Sequence, residues 1–183
     1  MTTLYERALD DLRAVFSRLD EARVDSAVEV IARAGRIALY GVGREGLQIK
    51  GLAMRLYHLG LNASVVGDMS TPPLGKGDLL VVSAGPGQFS TVAALMDVAR
   101  GSGATTLCVT AQPDGECPRA ADHVLTIPAQ TMADDQGPAT SVLPMGSLYE
   151  GAQYVLFEVM ILKLRERLGV SSEAMRANHT NLE

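Results

Sequence analysis

Along the chain, short apolar runs alternate with stretches whose apolar residues recur at helical spacing. Ile37–Tyr40 is a run with no polar break, and Leu79–Val82 is another, ending at Ser83. Ala63–Gly67, Thr105–Val109 and His123–Ile127 are shorter relatives of the same pattern. Such runs, stopped by glycine or polar turns, predict strands buried on both faces. Between them, Leu47, Leu52, Met54, Leu56 and Leu59 follow helical intervals up to Gly60, and Val92, Leu95, Met96 and Val98 do so up to Gly101 and Gly103. Leu9, Leu12, Phe16 and Leu19 line an N-terminal helix. Ser26 and Glu29 have capping-box spacing, which predicts a second helix, or a restart of the first, beginning at Ser26 and stopped by Gly35. A brief helical piece is expected at Cys117–Ala121 and an irregular loop at Pro128–Pro138. A long apolar helix is predicted over Ser141–Leu168, and a polar tail helix or arm over Ser171–Leu182. Strands alternating with helices predict an α/β fold, a three-layer doubly wound sheet of five parallel strands in the order 2-1-3-4-5. No linker or fixed-period repeat interrupts it, so residues 1–183 read as one domain.

Chemistry concentrates where the first and third strands end. After the first, Gly41, Gly43 and Gly46 turn the chain into a helix; after the third, Ser83-Ala84-Gly85-Pro86-Gly87-Gln88-Phe89-Ser90 does the same. Each turn presents backbone N–H groups at a helix N-terminus, which attracts an anion or a polar ligand group. In a doubly wound sheet the two turns meet at the switch point, where ligands bind. Gly41-Val42-Gly43-Arg44-Glu45-Gly46 also fits G-x-G-x-x-G, and Asp68 lies where a ribose-binding acid would sit, so dinucleotide binding is one reading. A tight turn without any ligand is the plainer one.

Composition narrows the field. Apolar residues make up 47% of the chain, as a globular protein requires. No apolar stretch is long enough for a membrane span, and the N-terminal residues lack a secretory apolar block, so a cytoplasmic setting is expected. A net charge of −5 and the absence of Trp argue against nucleic acid as a partner. Cys108 and Cys117 are too few for a metal knuckle and are expected as reduced thiols, Cys108 in the core.

The segment GVGREGLQIKGLAMRLYHLGL, followed by TPPLGKGDLLVVSAGPG, resembles the sugar isomerase (SIS) domain family, and more narrowly the 6-phospho-3-hexuloisomerase family. The resemblance continues through Leu143-Pro144-Met145-Gly146-Ser147 before Glu150 to the closing Asn178-His179-Thr180-Asn181-Leu182-Glu183. It implies the sheet order above, no metal or organic cofactor, and a homo-oligomer, often a tetramer. It also implies interconversion of an aldose and a ketose phosphate through an enediol. That chemistry needs a base to move a proton between adjacent carbons and an acid for oxygen. By resemblance Glu150 stands at the base position, as a lone carboxylate among apolar neighbours whose pKa burial should raise. His179 matches a tail histidine that reaches a neighbouring subunit's site. Gly41, Gly43, Arg44, Glu45, Ser83, Gly85, Gly87, Gln88 and Ser90 are the candidate substrate-binding residues. His58, near a helix C-terminus, reads as a favourable charge there, and Arg55 ranks below Arg44.

Two departures from the family pattern carry weight. Glu45 replaces a serine of the first turn, and the second turn carries Pro86, which has no N–H to give. A carboxylate about 4 Å from a phosphate charge costs about 4 kcal/mol per charge pair at an effective dielectric near 20. That exceeds what one or two hydrogen bonds return. Either Glu45 points away, towards Arg44 or Lys50, or the ligand is not a phosphosugar in the usual pose. An isomerase with a changed substrate and a non-catalytic sugar-binding module on the same scaffold are both compatible with this pattern.

Overall fold

A computed structural model describes residues 2–137 and 141–182. Pro138, at the end of the expected irregular loop, and Glu183, the last residue of the closing motif, lie outside them. Five parallel strands, β1 (Ile37–Gly41), β2 (Ala63–Val65), β3 (Leu79–Ser83), β4 (Thr105–Thr110) and β5 (His123–Thr126), form one sheet in the order β2-β1-β3-β4-β5. The helices are α1 (Leu4–Phe16), α2 (Glu21–Arg33), α3 (Gly43–His58), α4 (Ser90–Gly101), α5 (Glu116–Ala120), α6 (Ser147–Leu168) and α7 (Ser172–Ala177).

Alternate residues of the central strands feed two cores. Ile37, Leu39, Leu79, Val81, Leu107, Val109, Leu125 and Ile127 pack on one face against apolar residues of α2, α3 and α6, with Val15 of α1. Ala38, Leu80, Val82 and Cys108 face the other way, onto Val92, Met96 and Ala99 of α4 and Cys117 of α5. The strands therefore read as unbroken apolar runs because both sides are covered. Burial pushes the Cys108 thiol up to about 12, so it stays protonated as a small core residue.

Several expected boundaries move: the first helix ends at Phe16, short of Leu19, and the tail helix at Ala177, short of Leu182. The second helix starts at Glu21, not Ser26. Asp20 is its N-cap, with Oδ1 accepting from the Ala22 N–H at 3.1 Å, and Ser26 lies mid-helix. The second strand stops at Val65, because Gly67, at φ +106°, turns the chain. The long helix starts at Ser147 rather than Ser141, since Met145 (φ 54°) and Gly146 (φ 81°) are both left-handed and break the helix there.

Candidate functional site

The parallel register sets Gly41, the last residue of β1, beside Ser83, the last residue of β3. α3 starts two residues after Gly41, closely enough that a Cβ on Gly46 would lie 2.5 Å from the Gly41 carbonyl oxygen. Gly46 is thus part of the first helical turn, and its role is to let α3 sit down on the strand end. This packing turns Glu45 inward, across the sheet edge, to the second turn.

Glu45 is 7% exposed. Its Oε2 accepts from the Ser83 hydroxyl at 2.5 Å and from the Gly85 N–H at 2.9 Å. Ser83 in turn accepts from Gln153 Nε2 at 2.9 Å, and the Tyr149 hydroxyl lies 3.2 Å from the same oxygen. Tyr149 and Gln153 are four residues apart on the buried face of α6. Gly85 must be glycine here, because a Cβ would meet Glu45 Oε1 at 2.7 Å and the Tyr149 ring at 2.8 Å. Burial raises the Glu45 pKa, and the Ser83 and Gly85 hydrogen bonds pull against it.

Arg44 faces the other way. Its Nε is 3.0 Å from Glu150 Oε2, Nη1 donates to Ser147 Oγ at 3.0 Å, and Nη2 donates to the Met145 carbonyl at 2.5 Å. One guanidinium thereby ties the start of α3 to the start of α6. Glu150 is mostly buried, 15% exposed at its side chain. Desolvation raises its pKa, the Arg44 charge lowers it, and the Glu45 charge raises it again. The expected lone carboxylate is therefore half of an ion pair, with a second carboxylate in its electrostatic neighbourhood. Glu45 turns to neither Arg44 nor Lys50.

The other candidates divide. The Gly87 N–H is spent inside the turn on the Ala84 carbonyl at 2.8 Å, and Gly87 (φ +86°) packs against Gly115. Gln88 Oε1 accepts from the Cys117 thiol at 2.8 Å, and exposed Ser90 opens α4. Gly43, exposed at φ +58°, opens α3. Asp68 is exposed in the turn after β2. Arg55 pairs with Glu158 at 3.2 Å, between α3 and α6. His179 stacks on His58 with ring centroids 5.0 Å apart, and Asn178 Nδ2 donates to the His58 carbonyl at 3.1 Å. His58 ends α3, about 22 Å along the helix from Gly43. Within one chain, the tail histidine and Glu150 are therefore apart. No group of three or more His, Cys, Asp or Glu suited to a metal occurs among the described residues.

Sequence reasoning missed Tyr149, Gln153, Ser147 and the Met145 carbonyl. A glutamine at i+4 from a tyrosine on an otherwise apolar helix face was the available signal, since buried polar groups demand partners.

Comparison with known proteins places this geometry in context. The model of the SIS domain matches residues 30–152. A 3-hexulose-6-phosphate isomerase of Bacillus subtilis (strain 168) is 32% identical over 175 residues, covering 96% of this chain and 95% of that protein. One of Mycobacterium gastri is 34% identical, covering 95% of this chain and 87% of its own. Among solved structures, a hypothetical protein from Methanococcus jannaschii superposes with a TM-score of 0.84 at 25% identity, covering 98% of each chain. Its crystal structure was described as inferring a molecular function of 3-hexulose-6-phosphate isomerase. A match across two thirds of the chain, with relatives of this identity end to end, means that the chain belongs to the SIS domain family.

Proposed function

We propose that this protein is an aldose–ketose isomerase, with a sugar phosphate the substrate class that kinship with the named 3-hexulose-6-phosphate isomerases supports. The observation that carries the mechanism is Glu150. It is a nearly buried carboxylate at the first turn of α6, oriented by Arg44 at 3.0 Å, with its proton affinity raised by burial. In the reaction Glu150 takes the hydrogen from the carbon beside the carbonyl, leaving an enediol, and returns it to the neighbouring carbon. Its raised pKa makes it a stronger base than an exposed carboxylate, which favours the abstraction step. His179 of a second copy serves as the acid that moves the proton between the two oxygens. The active assembly is a homo-oligomer, a tetramer by resemblance, working in the cytoplasm. No described helix is long and apolar enough to cross a membrane. Kinship with named isomerases does not favour the dinucleotide or non-catalytic readings.

The test is exchange of solvent deuterium into the carbon next to the carbonyl, across a panel of ketoses, aldoses and their phosphates. The wild type is expected to exchange one of them, and Glu150→Gln to lose about 10²–10⁴ of that rate. Exchange undiminished in Glu150→Gln would remove Glu150 from the chemistry.

A further inference from the structure

Glu45 sits where a ligand's anion would be expected. Ser83 Oγ and the Gly85 N–H, at the carboxyl end of β3 and beside the start of α3, form a donor pair suited to a negatively charged oxygen. Both donors converge on Oε2 of the Glu45 carboxylate. The arrangement is directional. Gln153 Nε2 donates to Ser83 Oγ, which commits the serine's own hydrogen to Glu45. Among the described hydrogen bonds, none ends on Glu45 Oε1. The missing Cβ of Gly85 leaves room for that oxygen.

The cation beside the cradle is also committed. Arg44 spends Nε on Glu150, Nη1 on Ser147 and Nη2 on the Met145 carbonyl. The guanidinium charge is taken up by Glu150, and Glu45, held by Ser83 and Gly85, adds a second negative charge felt at Glu150. Such a cluster repels a phosphate dianion and accepts hydrogen bonds from hydroxyls.

We infer that Glu45 is the specificity-determining residue of this site: its carboxylate occupies the Ser83–Gly85 cradle, so the substrate meets that position with an uncharged hydroxyl and not with a phosphate. The sugar hydroxyl donates to Glu45 Oε1, and a phosphate monoester at this position is excluded. The inference rests on reading the two turns at the carboxyl ends of β1 and β3 as a sugar isomerase site, and it adds which end of the sugar is taken there.

Isothermal titration calorimetry with inorganic phosphate tests it on the full-length protein. The wild type is expected to bind phosphate with a Kd weaker than about 1 mM. Glu45→Ser and Glu45→Ala, which empty the cradle, are expected to tighten that Kd at least about tenfold, and adding Ser83→Ala to either is expected to reverse the gain. No gain in a folded variant overturns the inference. Should neither variant fold, the wild type decides. Submillimolar phosphate binding that Ser83→Ala abolishes means the cradle receives anions despite Glu45, whereas weak binding indifferent to Ser83→Ala supports exclusion. Deuterium exchange reads Glu150 and phosphate binding reads Glu45, so the failure of one proposal is distinguishable from the failure of the other.

Discussion

A buried carboxylate with hydrogen-bond donors but no adjacent cation keeps part of its desolvation cost, and Glu45 is in that position. Its folded pKa lies above the ordinary glutamate value of 4.5, so the fold favours the protonated form. That contribution is fully present below the ordinary carboxylate range and is lost as pH rises through the folded pKa. At neutral pH the charge is a net burden. Glu45→Gln keeps an acceptor for Ser83 and Gly85 without the charge, so it is expected to be more stable than the wild type at pH 7, by about 1 kcal/mol. The difference should shrink to nothing below the ordinary carboxylate range in urea unfolding series across pH. A constant difference at every pH would mean that the gain is not electrostatic. Glu150 answers to Arg44 in the opposite sense. The guanidinium favours the ionised base, so Arg44→Gln is expected to move the acidic limb of kcat/KM to higher pH, because the base then holds its proton longer. Arg44 is about half exposed, and the stability lost with the pair should stay under ~1 kcal/mol.

Elements bring these residues together through two glycines that act by different means. Gly46 is needed for closeness: a Cβ there collides with backbone, the Gly41 carbonyl, which cannot rotate away. Gly43 is needed for its φ of +58°, with nothing within 4 Å of an added Cβ. Gly46→Ala is therefore expected to cost about 1–3 kcal/mol and to lift α3 from β1, disturbing Glu45. Gly43→Ala should cost about 1–2 kcal/mol of local strain and leave Glu45 in place. Thermal unfolding, with phosphate binding as the reporter of Glu45, separates the two. The same contrast explains what was legible in the chain. Strand runs and glycine stops are local signals, and they gave the sheet order, the two turns and the Glu150 helix. Asp20 is the cap although Arg23, not a glutamate, lies three residues on, so the Ser26–Glu29 spacing pointed to the wrong start. The break at Met145–Gly146 was hidden because methionine rarely takes a left-handed φ. The direction of Glu45 could not be read at all. It depends on the register that sets Gly41 beside Ser83, and on Tyr149 and Gln153, more than 60 positions further on, closing the network from α6.

At the scale of the whole molecule, one chain holds the proposed base, Glu150, but not the proposed acid, His179, beside it. α6 carries Leu148, Tyr149, Leu156, Phe157, Met160 and Ile161 inward, yet Tyr154, Val155, Val159 and Leu162 are exposed on its other side. α3, which packs beside it, exposes Leu47, Met54 and Tyr57. A helix apolar on every side asks for a second cover, and another copy of this chain would supply it. The proposed mechanism requires that in such an assembly the His179 of one copy meets the Glu150 of another, since within its own chain it stacks on His58 instead. Mixing decides this. Glu150→Gln and His179→Asn proteins are each expected to be nearly inactive alone. After joint refolding, the Glu150→Gln chain contributes an intact His179 and the His179→Asn chain an intact Glu150. If each site draws on both members of a two-fold pair, an equal mixture assembling at random restores about a quarter of the wild-type sites. Sedimentation velocity should show an oligomer in both parents and in the mixture. Recovery confined to the oligomeric fraction supports shared sites. A mixture no more active than its parents, with mixed oligomers demonstrably formed, would confine the acid to a residue of the same chain as Glu150.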